Sequence, residues 1–130
     1  MTVSELMQSI TLQPLNTLYD KEIVASLVTD LVSSKLTSGQ AGSIWVTDRT
    51  DVGIVSDAKR LNIAAIIITK GQEVASNVLQ AANVAQITIF STPLPAPDIV
   101  GQLFAVGIRI DPYGQISSAG GPTSQGGKKT

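Results

Sequence analysis

Gly42-Ser43-Ile44-Trp45-Val46-Thr47-Asp48-Arg49-Thr50-Asp51-Val52-Gly53-Ile54-Val55 decides how the chain is read. It opens on Ile44, Trp45 and Val46, β-branched or aromatic residues that suit a strand. It breaks into a polar knot, Thr47 to Asp51, and resumes as an apolar stripe of Val52, Ile54, Val55, Ala58 and Leu61 at helical spacing. A strand that enters a charged turn and leaves it as a helix is half of a βαβ unit. In such units the turn lies at the carboxyl edge of a parallel sheet, where ligands bind. Thr50 or Asp51 is placed to cap the helix over residues 52–61, Lys59 and Arg60 suit its negative end, and Asn62 suits its C-cap.

The pattern repeats downstream. Ile63 to Thr69 is apolar without alternation, so both faces of that strand are expected to be buried, as in a parallel sheet covered by helices. Lys70-Gly71 ends it. A helix is predicted over 73–82, with Val74, Val78, Leu79 and Ala82 facing inward and residues 83–86 as the return loop. Ile87 to Phe90 is a third strand, ended by Ser91-Thr92 and a proline-rich turn. A last helix is expected over 99–106, opened by Pro97 or Asp98 and stopped by Gly107.

Upstream, residues 3–10 read as a short helix with Val3, Leu6, Met7 and Ile10 on one face and Ser4 near its start. The extended stretch around Pro14 suits an edge strand or connector, because proline has no N–H to donate. Residues 23–28 read as a strand followed by a helix over 31–36 that Thr29 or Asp30 caps. The same region, 22–35, also reads as one helix. From about Arg109 the chain turns Gly- and Ser-rich: residues 108–110 suit a short edge strand, and 111–130 read as a flexible tail. The fold class expected is α/β, a three-layer α/β/α domain over residues 1–110 with a mainly parallel sheet.

Composition narrows the function. The net charge is -1, which leaves no electrostatic footprint for nucleic acid, and 4% aromatic residues make no base-stacking platform. Cys and His are both absent, which removes thiolate nucleophiles, imidazole bases and most transition-metal sites. Asp48 and Asp51 beside an arginine are a poor cage for a divalent metal, so neither metal nor cofactor is expected. The N-terminus lacks a basic, apolar leader pattern, and no apolar run nears the roughly 20 residues that cross a bilayer. A cytoplasmic chain with no membrane partner is expected. A mean hydropathy of +0.25 is high for a small domain and fits a sandwiched sheet, a surface covered by a second subunit, or both.

In a parallel sheet all carboxyl ends share one edge. The candidate ligand-binding residues are therefore Thr29, Asp30, Thr47, Asp48, Arg49, Asp51, Thr69, Lys70, Gly71, Ser91 and Thr92. For Asp48 to Asp51 two readings stand: a cap with a salt bridge that fixes the turn, or an anion site built on Arg49 and the helix N-terminus. Lys70-Gly71 lacks the rest of a phosphate loop and reads first as a strand terminus. No catalytic residue is assigned, because no activated nucleophile or base near neutral pKa is present.

The segments Val28 to Ser33, Gly42 to Asp51, Ala64 to Gly71 and Ile89 to Thr92 resemble the DRTGG domain, and the resemblance extends over residues 3–107. Asp48-Arg49-Thr50-Asp51 is similar to a variant of the family's motif, with Thr47 where glycine is usual and Lys70-Gly71 where Gly-Gly is frequent. The family occurs with CBS domains in a regulatory pyrophosphatase, in phosphotransacetylase-related proteins and as short stand-alone chains. Its fold is similar to the non-catalytic N-terminal domain of HPr kinase/phosphorylase. The resemblance implies a non-enzymatic, dimerising regulatory or ligand-sensing element; joined to the Arg49 turn at the sheet edge, it makes the leading expectation a module that binds a small anionic ligand, a nucleotide or phosphorylated metabolite. The alternatives are a pure interaction module docking a larger metabolic enzyme and, behind both, a small phosphate-handling enzyme.

Overall fold

A computed structural model of the chain describes residues 1–28 and 41–108. The elements in order are α1 (Val3–Ser9), β1 (Gln13–Pro14), β2 (Ala25–Val28), β3 (Ser43–Thr47), α2 (Gly53–Leu61), β4 (Ala65–Ile68), α3 (Ser76–Ala85), β5 (Thr88–Ser91) and α4 (Ala96–Ala105). Among the described residues five strands form one sheet in the order β1-β5-β4-β3-β2. β2 to β5 are mutually parallel, and β1 pairs antiparallel with β5. Pro14 sits on that outer edge, opposite Phe90, where a missing N–H breaks no ladder.

The sheet is apolar on both faces because each face has its own helical layer. On one, Ile44, Val46, Ala65, Ile67 and Phe90 pack with Val3 and Leu6 of α1 and Ile99 and Leu103 of α4. On the other, Trp45, Ile66, Ile68 and Ile89 pack with Ile54, Val55, Ala58 and Leu61 of α2 and Val78 and Ala82 of α3. Successive residues of β3 thus feed opposite cores, which is why its sequence does not alternate with polar residues. The expected three-layer, mainly parallel α/β/α fold is the one observed.

Boundaries differ in three places. α3 starts at Ser76 and continues through Ala85, so Asn83 to Ala85 are helical and not a return loop. The turn falls to Gln86, at φ 60°. Asn83 stays helical because its side chain is engaged by a distant segment: its Oδ1 accepts from Asn16 Nδ2 at 2.9 Å and from Tyr19 Oη at 3.3 Å. α4 starts at Ala96, with proline in its first turn, where the missing N–H is no loss. α1 is capped by Thr2, which exchanges hydrogen bonds with Glu5 in a capping box, while Ser4 bonds Asp20. Asn62 ends α2 in the left-handed conformation, as the sequence predicts.

For residues 23–28 the strand alternative is the one realised, as β2. The helix over 31–36, the strand ending at Ile110 and the tail over 111–130 lie outside the described residues.

Candidate functional site

The parallel sheet delivers Thr47 to Asp51, Thr69 to Gly71 and Ser91-Thr92 to one edge, at the carboxyl ends of β3, β4 and β5. Thr29 and Asp30 follow β2 and lie outside the described residues. Thr47, Thr69 and Thr92 are buried and shape the turns. The Thr47 hydroxyl accepts from Arg49 N at 3.2 Å, and the Thr92 hydroxyl accepts from Leu94 N at 3.2 Å. Backbone bonds continue past the strands: Thr69 N donates to the Thr47 carbonyl at 3.0 Å, Gly71 N to the Thr92 carbonyl at 2.9 Å, and Lys70 N to the Leu94 carbonyl at 3.0 Å. The edge is therefore a preformed surface built from interlocked turns.

Arg49 is held at the centre of the first turn. Its Nε and Nη2 donate to the two carboxylate oxygens of Asp51 at 2.8 and 2.6 Å, and its Nη1 donates to Asp57 Oδ2 at 3.2 Å. The guanidinium lies 6.0 Å from the centroid of the Trp45 ring. Asp57 also accepts from Arg60 Nη2 at 3.2 Å. Burial opposes the Arg49 charge, but the bonds to Asp51 and Asp57 outweigh it and raise its pKa further. The hydrogen bond from Arg49 likewise holds the Asp51 carboxyl below the usual carboxylate range.

Asp51 has a second task. Its Oδ2 accepts from Gly53 N at 3.1 Å, taking one of the N–H groups that open α2. Gly53 leaves room for the ion pair: a Cβ there would stand 2.7 Å from Asp51 Oδ2 and 3.0 Å from Arg49 Nη2.

Asp48 and Lys70 form a second, looser pair. Lys70 Nζ lies 3.5 Å from Asp48 Oδ2, and the side chains are 51% and 29% exposed. Lys70 and Gly71 both take φ +64°. Among the described residues no group of three acidic, His or Cys side chains is placed to hold a metal ion. Asp57, Gly53 and the approach of Arg49 to the Trp45 ring do not stand out in the sequence as parts of this turn. The available signal is spacing: Asp57 follows Gly53 by one helical turn, which brings it back over the knot.

The DRTGG domain family model matches residues 13–102, from β1 into α4. The chain belongs to the DRTGG domain family. No curated protein sequence matches it. Among solved structures, this DRTGG domain is similar to the crystal structure of the CBS and DRTGG domains of the regulatory region of Clostridium perfringens pyrophosphatase, complexed with its activator, diadenosine tetraphosphate. The TM-score is 0.57 at 17% identity, covering 75% of this chain and 43% of that one, so the likeness is one of fold over less than half of the longer chain. Among the described residues no helix is long and apolar enough to cross a membrane.

Proposed function

We propose that this DRTGG domain is a non-catalytic, cytoplasmic regulatory module that binds a small anionic ligand, a nucleotide or phosphorylated metabolite, at the carboxyl edge of its sheet. The observation that carries this reading is the edge itself: three interlocked turns converge there, and a lysine stands half-exposed among them, its ion pair among the described residues a long one. Family membership and a nucleotide activator in the similar pyrophosphatase region support it. So does a chain with no Cys or His to serve as nucleophile or base.

Calorimetric titration of the purified chain with diadenosine tetraphosphate, ATP, AMP and inorganic phosphate tests it. Trp45 emission provides a second signal, because the ring lies under Arg49 at the site. Saturable binding of at least one nucleotide is expected. A panel that gives neither heat nor a change in emission or melting temperature overturns the reading.

The module is further proposed to act as a homodimer through α4. Pro97, Val100, Gly101 and Phe104 recur along one stripe of that helix, with Asp98 on its flank, and Phe104 is 69% exposed. Two identical copies bring identical side chains together across a two-fold axis, so a stripe without charge pairs with itself at no cost in like-charge repulsion. Light scattering should give a dimer mass for the wild type and a monomer mass for Phe104→Asp. A wild-type monomer would instead favour the alternative in which this face docks a larger metabolic enzyme.

A further inference from the structure

We infer that the pair Asp48–Lys70, and not Arg49, recognises the ligand, and that the ligand is a phosphorylated sugar of the nucleotide class. Lys70 would meet a phosphate and Asp48 a sugar hydroxyl. This rests on the edge-binding reading above and assigns its chemistry.

Charge accounting comes first. Three of the five Arg49 N–H donors already point at carboxylate oxygens of Asp51 and Asp57. An anion arriving at Arg49 would meet two carboxylates already in place, and breaking the Asp51 contact would also uncap α2 at Gly53. Lys70 has no such commitment. Its 3.5 Å contact with Asp48 is long, and both partners reach solvent. Pairs of that kind contribute little to stability, so a ligand can separate them cheaply.

The backbone supplies the second observation. Lys70 adopts φ +64°, a conformation that glycine takes freely and that costs any residue with a Cβ. The turn does not need a lysine side chain: the conformation is fixed by Lys70 N on the Leu94 carbonyl and Gly71 N on the Thr92 carbonyl. Glycine would satisfy the same two bonds without strain, as it does one position later. Asn62 and Gln86 take the same conformation as helix C-caps, whereas Lys70 ends a strand on the ligand edge, with a half-exposed cationic side chain that the turn itself does not use.

The neighbouring carboxylate sets the ligand class. An inorganic phosphate would gain Lys70 and be repelled by Asp48. A ligand that offers a phosphate to the ammonium and a hydroxyl donor to the carboxylate satisfies both partners, and a ribose phosphate has these groups on one scaffold.

The test compares wild type, Lys70→Gly, Lys70→Arg and Asp48→Asn for calorimetric binding of ATP, AMP and inorganic phosphate, with melting temperatures alongside. Lys70→Gly should weaken nucleotide binding by about tenfold or more while its melting temperature holds or rises. Lys70→Arg should restore most of the affinity. Asp48→Asn should weaken nucleotides, and the wild type should prefer AMP to inorganic phosphate. Nucleotide binding by Lys70→Gly at wild-type strength overturns the assignment while leaving the edge-binding reading intact. A fall in the melting temperature of Lys70→Gly overturns it as well, by showing the lysine to be a structural pair for Asp48. A wild type that binds none of the probes removes both.

Discussion

Arg49 and Asp51, two residues apart, face each other through parallel hydrogen bonds, Nε to Oδ1 at 2.8 Å and Nη2 to Oδ2 at 2.6 Å. The same carboxylate caps Gly53 N. One acidic side chain thus closes the turn after β3 and opens α2.

That geometry has a pH signature. The Arg49 hydrogen bond depresses the Asp51 pKa in the folded state, so the carboxylate stabilises the fold above its unfolded pKa of about 3.9. The contribution is lost as pH falls through the lower, folded value. Asp51 is 57% exposed, and solvent screening keeps the effect to about 1 kcal/mol or less. Melting curves from pH 7 to pH 3 should show Asp51→Asn less stable than wild type at neutral pH, with the gap closing toward the acid end. A gap independent of pH would show that the charge is not what stabilises the turn.

Gly53→Ala sets two small effects against each other. Alanine favours a helix by about 1 kcal/mol over glycine. The new Cβ would stand 2.7 Å from Asp51 Oδ2, the end of an exposed side chain that can swing away, so the cost is bounded by what the ion pair contributes, about 1 kcal/mol or less. Urea unfolding should therefore place the variant within about 1 kcal/mol of wild type, and a loss of about 2 kcal/mol or more would show that the Arg49–Asp51 pair is held rigidly.

Asn16 substitutes for a strand where β1 stops. Its Oδ1 accepts from Ile89 N at 2.7 Å, and its Nδ2 donates to the Ile87 carbonyl at 2.9 Å and to Asn83 Oδ1 at 2.9 Å. Asn16→Ala strips these part-buried groups of their partner and should cost about 1–3 kcal/mol. Asn16→Asp keeps the acceptor for Ile89 N but turns the donor side into a repulsive contact, so it should not rescue. Chemical denaturation of the two variants decides the matter.

Trp45 is fully buried, and among the described residues its Nε1 has no hydrogen-bond partner. A large-to-small change in the core ordinarily costs several kcal/mol. Trp45→Phe also removes an unsatisfied donor whose burial costs about 1–3 kcal/mol, so the two effects oppose each other. The variant should fall within about 1 kcal/mol of wild type by calorimetry. A loss of 3 kcal/mol or more, on the same scale, would show that shape dominates.

The parallel sheet is legible because burial on both faces leaves a local mark: Ile63 to Ile68 carries no polar residue. The order of strands and helices follows from that mark and from Gly and Pro punctuation. Asn83 was not legible as helix, since what keeps it there arrives from Asn16 and Tyr19, 67 and 64 residues away. Arg49 and the turn around it were visible; their balance of charge was not. Asp57 reads as a solvent-side residue of α2, and only the approach of the helix to the turn makes it a partner. The left-handed backbone at Lys70 is equally hidden, because nothing local to a lysine announces a positive φ.

The edge closure around Asn16 also carries information about time. β3, α2 and β4 form a local unit that can assemble from contiguous chain. The Asn16–Ile89 contact joins residues 73 apart and closes β2 through α3 into one loop. Loop-closure entropy places such a contact late in folding, and the strand pairing beside it is short, Gln13 and Pro14 alone. The β1 edge is therefore expected to close late and open early, while α1 stays held by Val3 and Leu6 in the core. Amide exchange should reach Leu15 and Ile89 well before Ile66 in the central strand.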